Sequence, residues 1–122
     1  MSPTPPARRT STRQRGADAE RRARRHYLLR GYRILAANAW AGGNELDLVA
    51  RRGRWLVFCE VKQKSTTSFG DPAEMVTADK QRRVRRAAAA WLAARPELRG
   101  LRVRFDVVAV SPAGVRRAQD AF

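Results

Sequence analysis

Asp47, Glu60 and Lys62 are the residues of this 122-residue chain whose types and spacing could do chemistry. Two carboxylates held side by side among apolar residues such as Phe58 repel one another and call for a counter-charge. Lys62 is one source and a divalent cation is the other. Magnesium, or manganese in its place, suits such a pair because it takes hard oxygen donors: one or two carboxylates, waters and substrate phosphate oxygens. A backbone carbonyl near Val61 would complete the set. Lysine is also scarce here, since of 26 basic residues only Lys62, Lys64 and Lys80 are not arginine. A compact ammonium can sit beside a nucleophilic water and exchange a proton, whereas a guanidinium stays charged and brings a wide planar fork.

The elements that must position these groups lie in residues 43–64, GNELDLVARRGRWLVFCEVKQK. They read as two strands reversed at Arg52-Gly53-Arg54, with Gly53 free to take a positive φ. Alternation puts Glu45, Asp47 and Val49 on one face and Leu46, Leu48 and Ala50 on the other. In the second strand Leu56, Phe58, Glu60 and Lys62 share a face. A two- or four-residue loop, or a three-residue loop with a bulge, brings Asp47 and Glu60 to the same face; a plain three-residue loop separates them. Glu45 shares a face with Asp47, as an accessory acid or as a solvated strand-end carboxylate.

Asp47, a gap of twelve residues and then Glu60-Val61-Lys62 resembles the D...ExK signature of the PD-(D/E)XK, restriction-endonuclease-like nuclease superfamily. The words NELDLVA, VFCEVK, FGDPAEMVTADKQRR and RFDVVAV, with Glu20, Tyr27-Leu28, Gly31-Tyr32 and Asn38 before them, are similar to the YraN-type family of small bacterial proteins. The resemblance covers nearly everything after residue 15. It implies an α/β fold: a single restriction-endonuclease-like α/β/α domain, with a central mixed sheet flanked by helices, close to Holliday-junction resolvases. It further implies metal on Asp47 and Glu60, water positioned or activated by Lys62, and Glu20 joining the site from the first helix. The implied activity is magnesium- or manganese-dependent hydrolysis of phosphodiester bonds in DNA, branched DNA included. The alternative is a catalytically silent nucleic-acid-binding protein that retains the fold.

Charge points the same way. A net charge of +15 and a pI near 11.7 imply a polyanionic partner, nucleic acid first and DNA ahead of RNA. Lys80, Arg82, Arg83, Arg85 and Arg86 crowd the start of a helix expected over residues 78–95, capped by Thr77 and ended by Pro96. Cations there oppose the helix dipole and one another unless an anion relieves them. With Lys64 they make the expected phosphate-contact surface, set against a merely solvated face.

Residues 1–15 read as a disordered basic tail before one domain over 16–122. A helix is expected over 17–29 with Gly31 as its stop; Glu20 in its first turn would suit the helix dipole. A strand over 32–38 enters a Gly42-Gly43 turn. Trp40 is expected to cap the core edge, with stacking on a base the other reading, and Trp91 to lie in the core. Residues 65–76 form a polar loop bordering the site, whose Ser65, Thr66, Thr67 and Ser68 could donate to phosphate oxygens. A core strand over 101–110 carries a structural Asp106, expected to pair with a neighbouring arginine, and Phe122 anchors the end. One cysteine, Cys59, excludes a disulfide framework or a multi-thiolate zinc site. No apolar run reaches membrane-spanning length, so the expected setting is cytoplasmic. A monomer or homodimer fits, a junction-type substrate favouring the symmetric dimer.

Overall fold

The computed structural model describes residues 12–65 and 70–122. Ala19, Ala23 and Tyr27 recur every fourth residue and all are buried, so α1 (Thr12–Leu28) packs along a stripe that begins with two small side chains. The helix starts five residues ahead of the apolar pattern and inside the segment expected to be a tail. Arg13, Gln14 and Arg15 are good helix formers that extend the helix without apolar periodicity. Residues 1–11, the rest of that expected tail, lie outside the described residues, as do Thr66, Thr67, Ser68 and Phe69 of the expected border loop.

After α1 the chain runs β1 (Arg33–Ala41), β2 (Asn44–Arg52) and β3 (Trp55–Gln63), then α2 (Ala78–Ala93), β4 (Arg102–Ser111) and β5 (Gly114–Ala118). The strands lie in that order in one sheet. The first three form an antiparallel meander, α2 carries the chain to a parallel pairing of β4 with β3, and β5 turns back antiparallel. A mixed sheet with a helix on each face is the single restriction-endonuclease-like α/β/α domain expected. Tyr27, Leu48, Val57, Cys59 and Val108 pack with α1 on one face. Leu46, Val49, Leu56 and Phe58 pack with Val84, Ala87 and Trp91 of α2 on the other.

Thr77 caps α2, its Oγ1 accepting from the Lys80 N–H at 3.1 Å. Trp91 meets Phe58 edge-to-face with ring centroids 5.7 Å apart, as a core residue should. Trp40 does not: it is 74% exposed. The core edge it was expected to cover is closed instead by the turn after it. Gly42 and Gly43 both have positive φ, 56° and 77°, as a two-residue hairpin turn of primed type demands. A Cβ on Gly42 would stand 3.0 Å from the Arg86 carbonyl oxygen and 3.1 Å from Ala87 Cα, so the hairpin tip docks on the backbone of α2. Gly42→Ala should therefore cost about 2 kcal/mol, strain plus a clash that backbone cannot relieve. Gly43→Ala, which meets nothing within 4 Å, should cost about 1 kcal/mol from strain alone. Urea denaturation of the two variants compares them directly.

The α1 face buries one charged network. Arg104 grips Asp106 with two bonds, Nε to Oδ1 at 2.8 Å and Nη2 to Oδ2 at 2.9 Å. Tyr27 Oη donates to Asp106 Oδ2 at 2.8 Å, and the Asp120 N–H donates to Oδ1 at 3.0 Å. The structural role expected of Asp106 is thus filled by an arginine two residues away on its own strand.

Candidate metal centre

The β2–β3 hairpin reverses through a two-residue loop, Gly53-Arg54, with Arg52 paired to Trp55 and the ladder running back to Leu48 opposite Cys59. The ladder ends one residue short of Asp47 and Glu60, which were expected to face one another across it. The backbone pairing stops there, and the side chain of Asp47 takes over: its Oδ2 accepts from the Val61 N–H at 2.9 Å. Val61 thus joins the site through its N–H. The alternation of β2 slips at this point, because Leu46 packs on the α2 face with Val49 while Leu48 and Ala50 pack on the α1 face. Leu46 and Leu48 were expected on one face; a side chain replacing a ladder bond lets the strand rotate between them.

Three carboxylates converge at the slip. One oxygen from each of Glu20, Glu45 and Asp47 lies within 4.8 Å of the other two. Glu20 is the ninth residue of α1 and no acid occupies that helix's first turn, so the dipole role open to it in the sequence falls away. Asn38 aims it, donating from Nδ2 to Glu20 Oε2 at 2.8 Å. Asn38 holds φ at 53°, a left-handed conformation that asparagine tolerates better than most residues. Burial, and then the charges of Glu20 and Glu45, push the Asp47 carboxyl above its usual range, against the Val61 bond and the Lys80 charge. Glu45 and Asn38 complete the group that sequence reasoning centred on Asp47. Their signals were the shared face of Glu45 and Asp47 and an asparagine placed where a strand must bend.

Glu60 adds a fourth carboxylate, 5% exposed, whose charge and that of Asp47 oppose each other. Its counter-ion comes from α2: Lys80 Nζ stands 3.6 Å from Glu60 Oε1, and Lys62 contributes a weaker attraction. Burial and Asp47 outweigh both lysines and push the Glu60 carboxyl up to about 7. A carboxyl raised in the folded state stabilises below the unfolded range, near pH 4, and that contribution is lost as pH rises through 7. His26 works oppositely, since burial and Arg30 push it down to about 4 and its contribution is lost as pH falls below about 6.5. Comparison with Glu60→Gln cancels the histidine. In chelator, the stability of Glu60→Gln relative to wild type should therefore rise from pH 5 and level off above about pH 7 in urea denaturation.

The basic residues divide. Lys80 is engaged with Glu60, and Arg82 and Arg83 reach Asp79 at 3.6 and 2.7 Å, so the repulsion expected at the start of α2 is relieved within the protein. Arg85 lies over the rings of Phe105 and Phe122. Arg82, Arg83 and Arg86 nonetheless remain exposed to solvent. Lys64 lines a cleft of about 660 Å³ together with Arg22, Ser65 and Ser111, immediately beyond the end of the strand that carries Glu60 and Lys62. Among the described residues no helix is long and apolar enough to cross a membrane.

Fold and site together define a small α/β domain of restriction-endonuclease-like architecture with carboxylates gathered where its central strands part. The family model described as "Uncharacterised protein family UPF0102" matches residues 19–110, and the chain belongs to that YraN-type family. It is 45% identical over 108 residues to a UPF0102 protein of Methylorubrum extorquens, covering 88% of this chain and 83% of that one. It is 48% identical over 106 residues to a UPF0102 protein of Frankia alni, covering 85% and 88%. A third relative, from Chlorobaculum tepidum, is 44% identical over 95 residues, covering 78% and 73%.

Proposed function

We propose that the protein is a magnesium- or manganese-dependent nuclease that hydrolyses phosphodiester bonds in DNA, branched DNA included, in the cytoplasm. The observation that carries this reading is the convergence of Glu20, Glu45 and Asp47 oxygens within 4.8 Å. The donors are all hard oxygens, and the ammonium of Lys80 is shared between Asp47 and Glu60. Such a set fits a divalent cation. Asp47, Glu45 and Glu20 would hold it, with Glu60 as the further carboxylate beside them. When bound, the ion would polarise the scissile phosphate and lower the pKa of water.

The chain's own groups supply the rest. Asp47 is held to the backbone of β3 by the Val61 N–H and Glu20 is held by Asn38, so both carboxylates are oriented before substrate arrives. Lys62, on the same strand as Glu60, offers an ammonium to the charge that develops on the phosphate or to the attacking water. Lys64 and the exposed arginines of α2 give the phosphate backbone positive charge to follow. The buried thiol of Cys59 takes no part.

The test incubates wild type with duplex, single-stranded, flapped and four-way-junction DNA and with structured RNA, in magnesium or manganese and in chelator. Cleavage of DNA in metal and none in chelator is the expected result. Glu20→Gln should lower it at least tenfold. Binding of DNA with no cleavage in either metal would replace this reading with that of a nucleic-acid-binding protein on a nuclease fold.

A further inference from the structure

Trp40 is the most exposed aromatic residue among those described, at 74%, and it lies beside the acid group. In the β1–β2 ladder Trp40 is the direct partner of Glu45. Directly paired residues of an antiparallel ladder project to the same face, with Cβ atoms about 5 Å apart. Glu45 in turn has a carboxylate oxygen within 4.8 Å of those of Asp47 and Glu20. The indole therefore stands one side chain away from the place where a phosphate would meet the carboxylates.

It is also presented rigidly. Two residues on, Gly42 is pressed against the Arg86 and Ala87 backbone of α2, and the turn conformation is fixed by two glycines with positive φ. A large apolar ring held out in water on a docked hairpin tip is costly to keep for packing, since it packs on little. Charge points to its occupant: a chain of net charge +15, with exposed Arg86 on the helix against which this tip rests, suits a polyanion. The part of a polyanion that an indole recognises is the face of a base.

We propose that Trp40 is a base-stacking residue of the nuclease site, which selects DNA carrying an unpaired or splayed base next to the phosphate at the carboxylates. The proposal rests on the nuclease reading for its location. A base inside continuous duplex has both faces covered by its neighbours and cannot accept an indole without being unstacked. Single strands, flaps and junctions already offer a free face. Stacking adds affinity without reading sequence, so the preference is for the state of the strand and not for its bases.

The test measures binding in chelator, where cleavage plays no part, of wild type, Trp40→Ala and Trp40→Phe to a flapped DNA, a single strand and a blunt duplex of equal length. Trp40→Ala should lose about tenfold or more on the flap and the single strand and less than about twofold on duplex. Trp40→Phe should retain most of the affinity, and the salt dependence should be the same for all three. In wild type, indole emission should fall on binding single strand, and most of that change should vanish in Trp40→Phe, leaving Trp55 and Trp91 as the background. Equal losses on all three DNAs, no loss on any, or no binding by wild type would each overturn the assignment. A wild type that shows the expected selectivity and never cleaves would overturn the nuclease reading and leave the stacking role standing.

Discussion

Asp47→Asn should abolish metal-dependent cleavage, by a factor of at least about 100 to 1,000, while leaving the metal-free protein more stable than wild type. The two effects have one cause. Asparagine keeps an oxygen that can accept from the Val61 N–H, so the local backbone is preserved, but it removes the charge on which a cation would depend. That charge is a burden without the ion: each pair of carboxylates within 4.8 Å repels by about 1 kcal/mol even when water screens it fully. The same change should lower the stabilisation that magnesium or manganese gives the protein, which grows with the logarithm of ion concentration above the dissociation constant. Thermal melts with and without metal, beside single-turnover cleavage assays, measure both halves. A stabilised variant that still cuts, or a destabilised one that does not, would separate Asp47 from the metal and make its role structural.

The second large effect lies away from the site. Asp106→Ala should destabilise the fold by about 3 to 5 kcal/mol, because it strands the Arg104 guanidinium in the interior without its partner. Asp106 is fully buried and Arg104 is 3% exposed. The loss spreads further, since Tyr27 Oη and the Asp120 N–H donate to the same carboxylate. The double variant Arg104→Met, Asp106→Leu should recover a substantial part of the loss, since it removes both buried charges together. Guanidinium denaturation of the single and double variants checks this. Recovery confined to the double variant would mark the burden as the unpaired charge and not the missing volume.

The sequence disclosed those features that depend on local chemistry. The reversal around Gly53 follows from glycine, while its two-residue length, one of the loops left open, is settled by the ladder. The Thr77 cap, the stripe that buries Trp91 and the arginine partner of Asp106 each rest on residues close together in sequence. The features it did not disclose depend on elements meeting from far apart. Lys80 reads as a phosphate contact until α2 is folded back over β3 and its amine is found on Glu60. Glu20 was expected at the site only through the family resemblance, and its alternative role at the helix start falls away once α1 is seen to begin at Thr12. The slip in β2 has no mark in the hydrophobic pattern, because it is made by the Asp47 side chain substituting for a strand partner. Trp40 was expected to cap the core edge, with stacking the other reading, and only the hairpin's docking through Gly42 shows that this edge closes without it.

The distortion of β1 has a consequence beyond aiming Glu20. β1 is an outer strand of the sheet, and an outer strand offers a row of unpaired backbone groups on which another chain can build. Here the row is broken twice, by the register shift between Ile34 and Ala36 and by the left-handed turn of the backbone at Asn38. A second molecule laid along this edge would find no straight run long enough to pair with, so the bend that brings Asn38 to a carboxylate also guards the protein against joining edge to edge with its own copies.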